Sequence, residues 1–352
     1  MQDLIVDAHL DLAWNALQWN RDITRSVYTI RTQEAGQSGP GRGLNTVALP
    51  DMRRGKVLLC IATLMGRSTG VPSDHVDFRS PMQAYGIARG QLAYYRALEA
   101  RGLARIITTR EQLDDHIAGL DSDPDSQPIG MIISMESADS ILEPADASDW
   151  FDAGVRLIGP AHYGMGRYAG GTGVEDGLTD IGFELLKQMD GRFGLDLTHL
   201  SDKAFWQALD AFGGRVIASH NNCRALVPSQ RQFSDEQIKA IIARDGVIGV
   251  AFDIWMLEPG FVKRSTPNTG IGLDRIADHI DHICQLAGNT SHVGIGTDLD
   301  GGYGREQSPC DLDTIADLQN LIPLLEQRGY TPADTARILN QNWLRVLREI
   351  LA

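Results

Sequence analysis

Cysteine is scarce in this sequence, and the four present (Cys60, Cys223, Cys284 and Cys310) form no Cys-x-x-Cys pair. That argues against a disulfide-stapled scaffold and against a cysteine-built zinc module. It fits a reducing, cytoplasmic setting. Positive charge is also short: 32 Lys and Arg stand against 46 Asp and Glu, a formal net charge of -14. A nucleic-acid binder normally carries a basic stripe, and an acidic surface gains nothing from an anionic membrane, so neither partner is expected. No apolar run reaches the roughly 18 residues of a membrane span. No secretory signal is visible, and cleavage near the start would remove His9 and Asp11. The last residues, "TARILNQNWLRVLREILA", form an amphipathic helical pattern, so no membrane anchor is expected.

What is present is an ordinary globular composition, 352 residues with 43% hydrophobic content. Eight short apolar runs end in polar or Gly-rich stretches. They are "LIVDAH" (4–9), "KVLLCIATL" (56–64), "IGMIISMES" (129–137), "VRLIGPAH" (155–162), "FGLDLTHL" (193–200), "RVIASH" (215–220), "GVIGVAF" (246–252) and "HVGIGTD" (292–298). They are nearly continuous in apolar character, as strands covered on both faces should be. Helical patterns separate most of them, at 81–102, 179–192, 201–213, 234–246 and 273–288. Most open at a Ser, Thr or Asp cap and close at Gly. Alternation of this kind predicts an α/β protein with a parallel sheet, and eight strands at this length predict a (β/α)8 TIM barrel as one domain over 1–352. An open doubly wound sheet is the runner-up, but it would announce itself with a Gly-rich first turn, and "DAHLD" is not one. Two Gly-rich segments, 20–50 and 163–178, are expected as loops over the barrel mouth. "DSDPDSQP" (121–128) reads as a solvated connector.

Ionisable residues gather at the ends of these runs: His9 and Asp11 after the first, Glu136 at the third, then His162, His199, His220 and Asp298. A barrel brings its C-terminal strand ends into one mouth. Each residue has an ordinary reading when taken alone, such as Asp11 capping a helix or Asp298 serving a turn. Together they would cost stability unless something bound there. Three histidines and two carboxylates exceed one closed tetrahedral zinc site and suit a pair of divalent ions. Glu136 is the expected bridge, with His9 and Asp11 on one ion and His199 and His220 on the other. Imidazole and carboxylate donors favour zinc, with manganese, cobalt and iron as alternatives. His75, His116, His279, His282 and His292 do not share this placement and read as surface or packing residues.

These motifs resemble the renal (membrane) dipeptidase family of the amidohydrolase superfamily. "VDAHLD" is similar to its Asp-Gly-His-Asn-Asp start, and "VALPDMRRGKV" to its Asp-Leu-Pro segment. "GLTDIGFELLKQMDGRFGLDLTHLSD", "VIASHNN", "HVGIGTDLDGG" and "NWLRVL" follow in the family's order. The resemblance implies a two-zinc barrel with the ligands His9, Asp11, Glu136, His199 and His220. It also implies that His162 contacts the substrate carbonyl and that Arg231 pairs with the substrate's terminal carboxylate. Asp298, nearer the strand end than Asp300, is the expected proton carrier. The loop "YGMGRYAGG" and the seventh run "VAFDIWML" depart from the family's pattern.

The expected activity is hydrolysis of dipeptides, including those with a C-terminal D-residue, by a water activated between two divalent ions. The alternatives are hydrolysis of another small amide, an N-acyl amino acid or a lactone at the same centre, and a non-catalytic metal-binding scaffold. The expected partner is a small molecule, with a homodimer left open.

Overall fold

The computed structural model describes residues 3–71, 73, 75–123 and 127–352. Its strands are β1 Ile5–Leu10, β2 Val57–Met65, β3 Ala104–Ile106, β4 Ile129–Glu136, β5 Val155–Gly159, β6 Gly194–Asp196, β7 Val216–Ile217, β8 Ile248–Val250 and β9 Val293–Ile295. They pair in the order β7-β6-β5-β4-β2-β1-β9-β8, every pair parallel. The ends of that order meet. Ala218 bridges Ile248, with the Ala218 N–H donating to Val247 and the Gly249 N–H donating to Ala218. The result is the (β/α)8 barrel that the alternating pattern predicts.

Each expected run holds one barrel strand, but the later strands are shorter than their runs. The polar ends leave the ladder to bond elsewhere. Asp196 accepts from the backbone N–H groups of Thr198 and Ser219, and Asp7 accepts from those of His9 and Thr297. Two buried aspartates thus tie β6 to β7 and β1 to β9, just below the residues of interest. Ser219 also explains two glycines. A Cβ on Gly249 or Gly296 would overlap the Ser219 carbonyl oxygen, so only glycine lets the three segments close up there.

Alternation in β1 is interrupted where it matters. Asp7 pairs with Cys60 and Leu10 with Ala62, so β1 spends three steps where β2 spends two. This is a β-bulge, which re-aims a side chain. Val6 and Ala8 pack with Leu59, Ile61 and Ile132, whereas Leu10 packs with Cys60, Ala62 and Ile133. The extra residue lets His9 join Ala8 on the inner side. His9 and Asp11 still share a face, as the two-residue spacing predicts.

The helices follow their caps. Ser80, Thr179, Ser201 and Ser234 each accept a backbone N–H at a helix start. The helix Asp274–Ala287 differs: it has no side-chain cap, and the Leu273 N–H donates to Asp311 instead. Two elements escape the sequence pattern. β3 is three residues on the edge of β4, too short for a period, and the helix Arg110–Ser122 is charge-rich despite a full Thr109–Gln112 capping box. That helix takes the first residues of the expected connector 121–128, of which 124–126 lie outside the described residues. Segment 20–50 is not all loop, for it contains the helix Val27–Gln33. The helix Asn342–Ile350 packs under the barrel, where the Trp343 indole N–H donates to the Ile295 carbonyl.

Candidate metal centre

Glu136 ends β4 and is the hub of the mouth. Its Oε1 lies 3.2 Å from His199 Nε2 and 3.3 Å from His220 Nε2. Those two nitrogens are 3.1 Å apart. Its Oε2 lies 3.6 Å from His9 Nε2, which in turn is 3.9 Å from Asp11 Oδ1 and 3.9 Å from Asp298 Oδ1. One carboxylate therefore offers one oxygen to each of two groups. Donor atoms about 2.1 Å from one tetrahedral ion lie about 3.4 Å from each other, and the spacings seen here fit that. His9, His220 and Asp298 also come within ligating range of one another, as do Glu136, His162 and His199.

The imidazoles are oriented from behind. His199 Nδ1 lies 2.9 Å from Thr172 Oγ1, and the Thr172 hydroxyl also reaches the His199 carbonyl. His220 Nδ1 lies 2.9 Å from Ser219 Oγ, with His9 Nδ1 on the same hydroxyl at 3.4 Å. When Nδ1–H donates to a hydroxyl, Nε2 is left as a bare lone pair, the form that ligates metals. His199 and Asp298 hold positive φ, 67° and 56°, although neither is glycine. Such backbone costs on the order of 1–3 kcal/mol and persists where the surroundings over-determine it.

The electrostatics call for positive charge. Burial pushes Asp11 up to about 7, reinforced by Glu136, and burial holds Asp298 well above the usual carboxylate range. Burial would lower His9, but Glu136, Asp11 and Asp298 override it and hold the ring at about 10. Burial likewise keeps His199 and His220 neutral, well below the ordinary imidazole value. Glu136 stays ionised, well below its usual range, because the surrounding histidines outweigh its burial. Two buried atoms, His9 Nε2 and Asp11 Oδ1, have no hydrogen-bond partner. Asp11 precedes the helix Leu12–Leu17 yet makes no capping bond, so its carboxylate is free for the site. Three carboxylates and orphaned donor atoms at this depth are costly unless paired with cations. The residues fit divalent ions.

A cavity of about 140 Å³ opens on this cluster, walled by Asp11, Glu136, His162, His199, Arg231 and Asp298 among others. It is below the roughly 300–1,000 Å³ typical of drug-sized sites, which limits the ligand to a small one. A larger groove of about 860 Å³, near Pro40, Arg264 and Arg305, contains none of the clustered residues and is not the chemical site. Arg231 is buried. It donates to the Asn221 side chain at 3.1 Å and to the His220 carbonyl at 3.0 Å. Burial, then Arg67 and Arg231 against the pull of Glu136, push His162 down to about 3. Asp300 is turned away and bonded to Thr46 and Val47, with Arg21 at 3.5 Å. Segment 20–50 thus anchors Asp300, while segment 163–178 supplies Tyr163 to the cavity and Thr172 to His199.

The strand ends bring His9, Asp11, Glu136, His162, His199, His220 and Asp298 to this mouth and the family resemblance adds Arg231; the structure places all eight there. It missed Thr172, Ser219, Arg67 and Asp77. Ser219 adjoins His220 and was open to notice. The other three act across loops and leave no local signal.

The sequence model of a family described as membrane dipeptidase (peptidase family M19) matches residues 1–352. A Klebsiella pneumoniae protein, "Uncharacterized protein in pqqA 5'region", is 30% identical over 291 residues, 80% of this chain and 98% of that protein. "Dipeptidase tcpJ" of Claviceps purpurea (strain 20.1) is 30% identical over 203 residues, 56% of this chain and 45% of that protein. Among solved structures, a metallo peptidase from Rhodobacter sphaeroides, liganded with a phosphinate mimic of the dipeptide L-Ala-D-Ala, has a TM-score of 0.76 at 22% identity, covering 99% of each chain. That last likeness speaks to the fold.

Proposed function

The chain belongs to the membrane dipeptidase family, peptidase family M19, whose activity is metal-dependent hydrolysis of dipeptides, and we propose that it cleaves them at the cluster around Glu136. In this reading His9 and Asp11 would hold one zinc ion and His199 and His220 a second, with Glu136 available to both. The observation that carries it is the division of Glu136, with Oε1 toward His199 and His220 and Oε2 toward His9. Bound there, two such ions would polarise the substrate carbonyl and lower the pKa of a water toward neutrality.

The protein's own groups supply the rest. Arg231 pairs with the C-terminal carboxylate of the dipeptide, a charge-assisted contact that selects short substrates. His162 donates a hydrogen bond to the scissile carbonyl oxygen, which gains charge as the carbon becomes tetrahedral. Asp298 accepts the proton of the attacking water, then delivers it to the amide nitrogen as the C–N bond breaks. Two amino acids leave. Its place on the cavity wall beside Glu136 and His162 supports this role.

Among the described residues no helix is long and apolar enough to cross a membrane. The four unpaired cysteines support a cytoplasmic setting. The test of the activity is a panel of dipeptides, with L- and D-residues at the C-terminal position, beside N-acyl amino acids and lactones, using zinc-loaded protein. Turnover of dipeptides supports the reading. Turnover confined to lactones or acyl amino acids reverses it.

A further inference from the structure

Distance alone would make His162 another ligand, since its Nε2 is 3.8 Å from Glu136 Oε1. Its other nitrogen argues against that. His162 Nδ1 lies 2.6 Å from Nη1 of Arg67. A guanidinium carries only N–H donors, no acceptor, and does not deprotonate in proteins. The nitrogen facing it must offer a bare lone pair, so the single proton of the ring sits on Nε2, toward the cavity. His199 and His220 differ, because their Nδ1 atoms face hydroxyls, which can accept.

Arg67 is not free to turn away. Its Nε donates to Asp77 Oδ2 at 2.9 Å. Asp77 is buried and accepts from the Thr69 N–H at 3.0 Å and from the Thr69 hydroxyl. The backbone repeats the clasp: the Arg67 N–H donates to the Val76 carbonyl at 3.1 Å, and the Phe78 N–H donates to the Arg67 carbonyl at 2.8 Å. The loop after β2 is therefore folded back so that one fixed cation meets one imidazole nitrogen.

We propose that Arg67, braced by Asp77, is a positioning residue that locks His162 in the Nε2–H tautomer, making it a hydrogen-bond donor to the substrate carbonyl rather than a metal ligand. The role toward substrate rests on the dipeptidase reading, whereas the location of the proton does not.

The test uses protein labelled with ¹⁵N-histidine and long-range ¹H–¹⁵N correlation spectra, recorded metal-free and zinc-loaded, with His162 assigned by its loss in His162→Gln. The expected wild-type result is Nε2–H on His162 in both states, while His9, His199 and His220 shift on zinc binding. In Arg67→Ala the His162 signals should move toward a mixture of tautomers, and Arg67→Lys should restore part of the wild-type pattern. Metal content should be unchanged. kcat should fall roughly ten- to hundredfold with KM nearly constant, somewhat less than the loss of a whole oxyanion donor. Nδ1–H on wild-type His162, a zinc-induced shift of its Nε2, or an Arg67→Ala enzyme with undiminished kcat would overturn the proposal. If Arg67→Ala does not fold, the wild-type spectra decide alone. Failure of the dipeptidase reading would show separately, as absent dipeptide turnover by zinc-loaded wild type.

Discussion

His199 and His220 point their Nε2 atoms at each other across 3.1 Å, and each has its Nδ1 against a hydroxyl. Two neutral rings gain nothing from such an approach by themselves, since both nitrogens then present lone pairs to one point and to a Glu136 oxygen. A cation at that point reconciles all three.

The first prediction concerns that point. His199→Ala should bind at least one divalent ion fewer than wild type, and its kcat/KM should fall by roughly a thousandfold or more, in keeping with loss of a direct ligand. Metal analysis of zinc-dialysed protein reads the first quantity directly. Full retention of wild-type stoichiometry would remove His199 from the centre.

Asp298→Asn keeps the shape of the carboxylate but cannot carry the proton. Its kcat should drop by about 10²–10⁴-fold, the usual worth of a positioned acid–base group, with metal content preserved. A variant that loses metal instead would make Asp298 a ligand, for which its 3.9 Å separation from His9 leaves room.

Arg231→Ala should raise KM for dipeptides with little change in metal content. A lost charge-assisted hydrogen bond is worth about 1.5–3 kcal/mol, or roughly ten- to a hundredfold in affinity. Dipeptide amides, which lack the terminal carboxylate, should be affected far less. Equal losses on acids and amides would count against a pairing role.

How much of this was legible beforehand follows from what each residue depends on. The strand ends were legible because a buried parallel strand is a nearly continuous apolar run, and His9, Glu136 and Asp298 interrupt or terminate such runs. The face shared by His9 and Asp11 depends on the bulge between Asp7 and Leu10, which the two-residue spacing alone does not report. β3 and the helix Arg110–Ser122 were missed, the one being too short and the other too polar for periodicity to report. Arg67, Asp77 and Thr172 act on histidines 95, 85 and 27 positions away, and no spacing rule connects residues that only the folded loops bring together.

Stability against acid should carry a signature from outside the centre. His279, one of the histidines that read from sequence as surface or packing residues, is buried, accepts the Cys223 N–H at 3.1 Å, and is pushed by burial from 6.5 down to about 4. Between those values the unfolded chain holds a proton here that the folded chain does not, so stability falls as pH drops through that window. The slope is at most about 1.4 kcal/mol per pH unit. His279→Asn keeps an acceptor for Cys223 and removes the titration. Urea unfolding of both proteins in the same metal state, from pH 7 to 4.5, should show wild type losing more stability than the variant. Parallel profiles would contradict the assignment.

Anomalous diffraction at the zinc edge, on crystals of the zinc-loaded protein, reads the central claim most directly. Two peaks are predicted on either side of the Glu136 carboxylate, one against His199 and His220 and the other against His9 and Asp11. A single peak, or two that leave Glu136 uncoordinated, would contradict it.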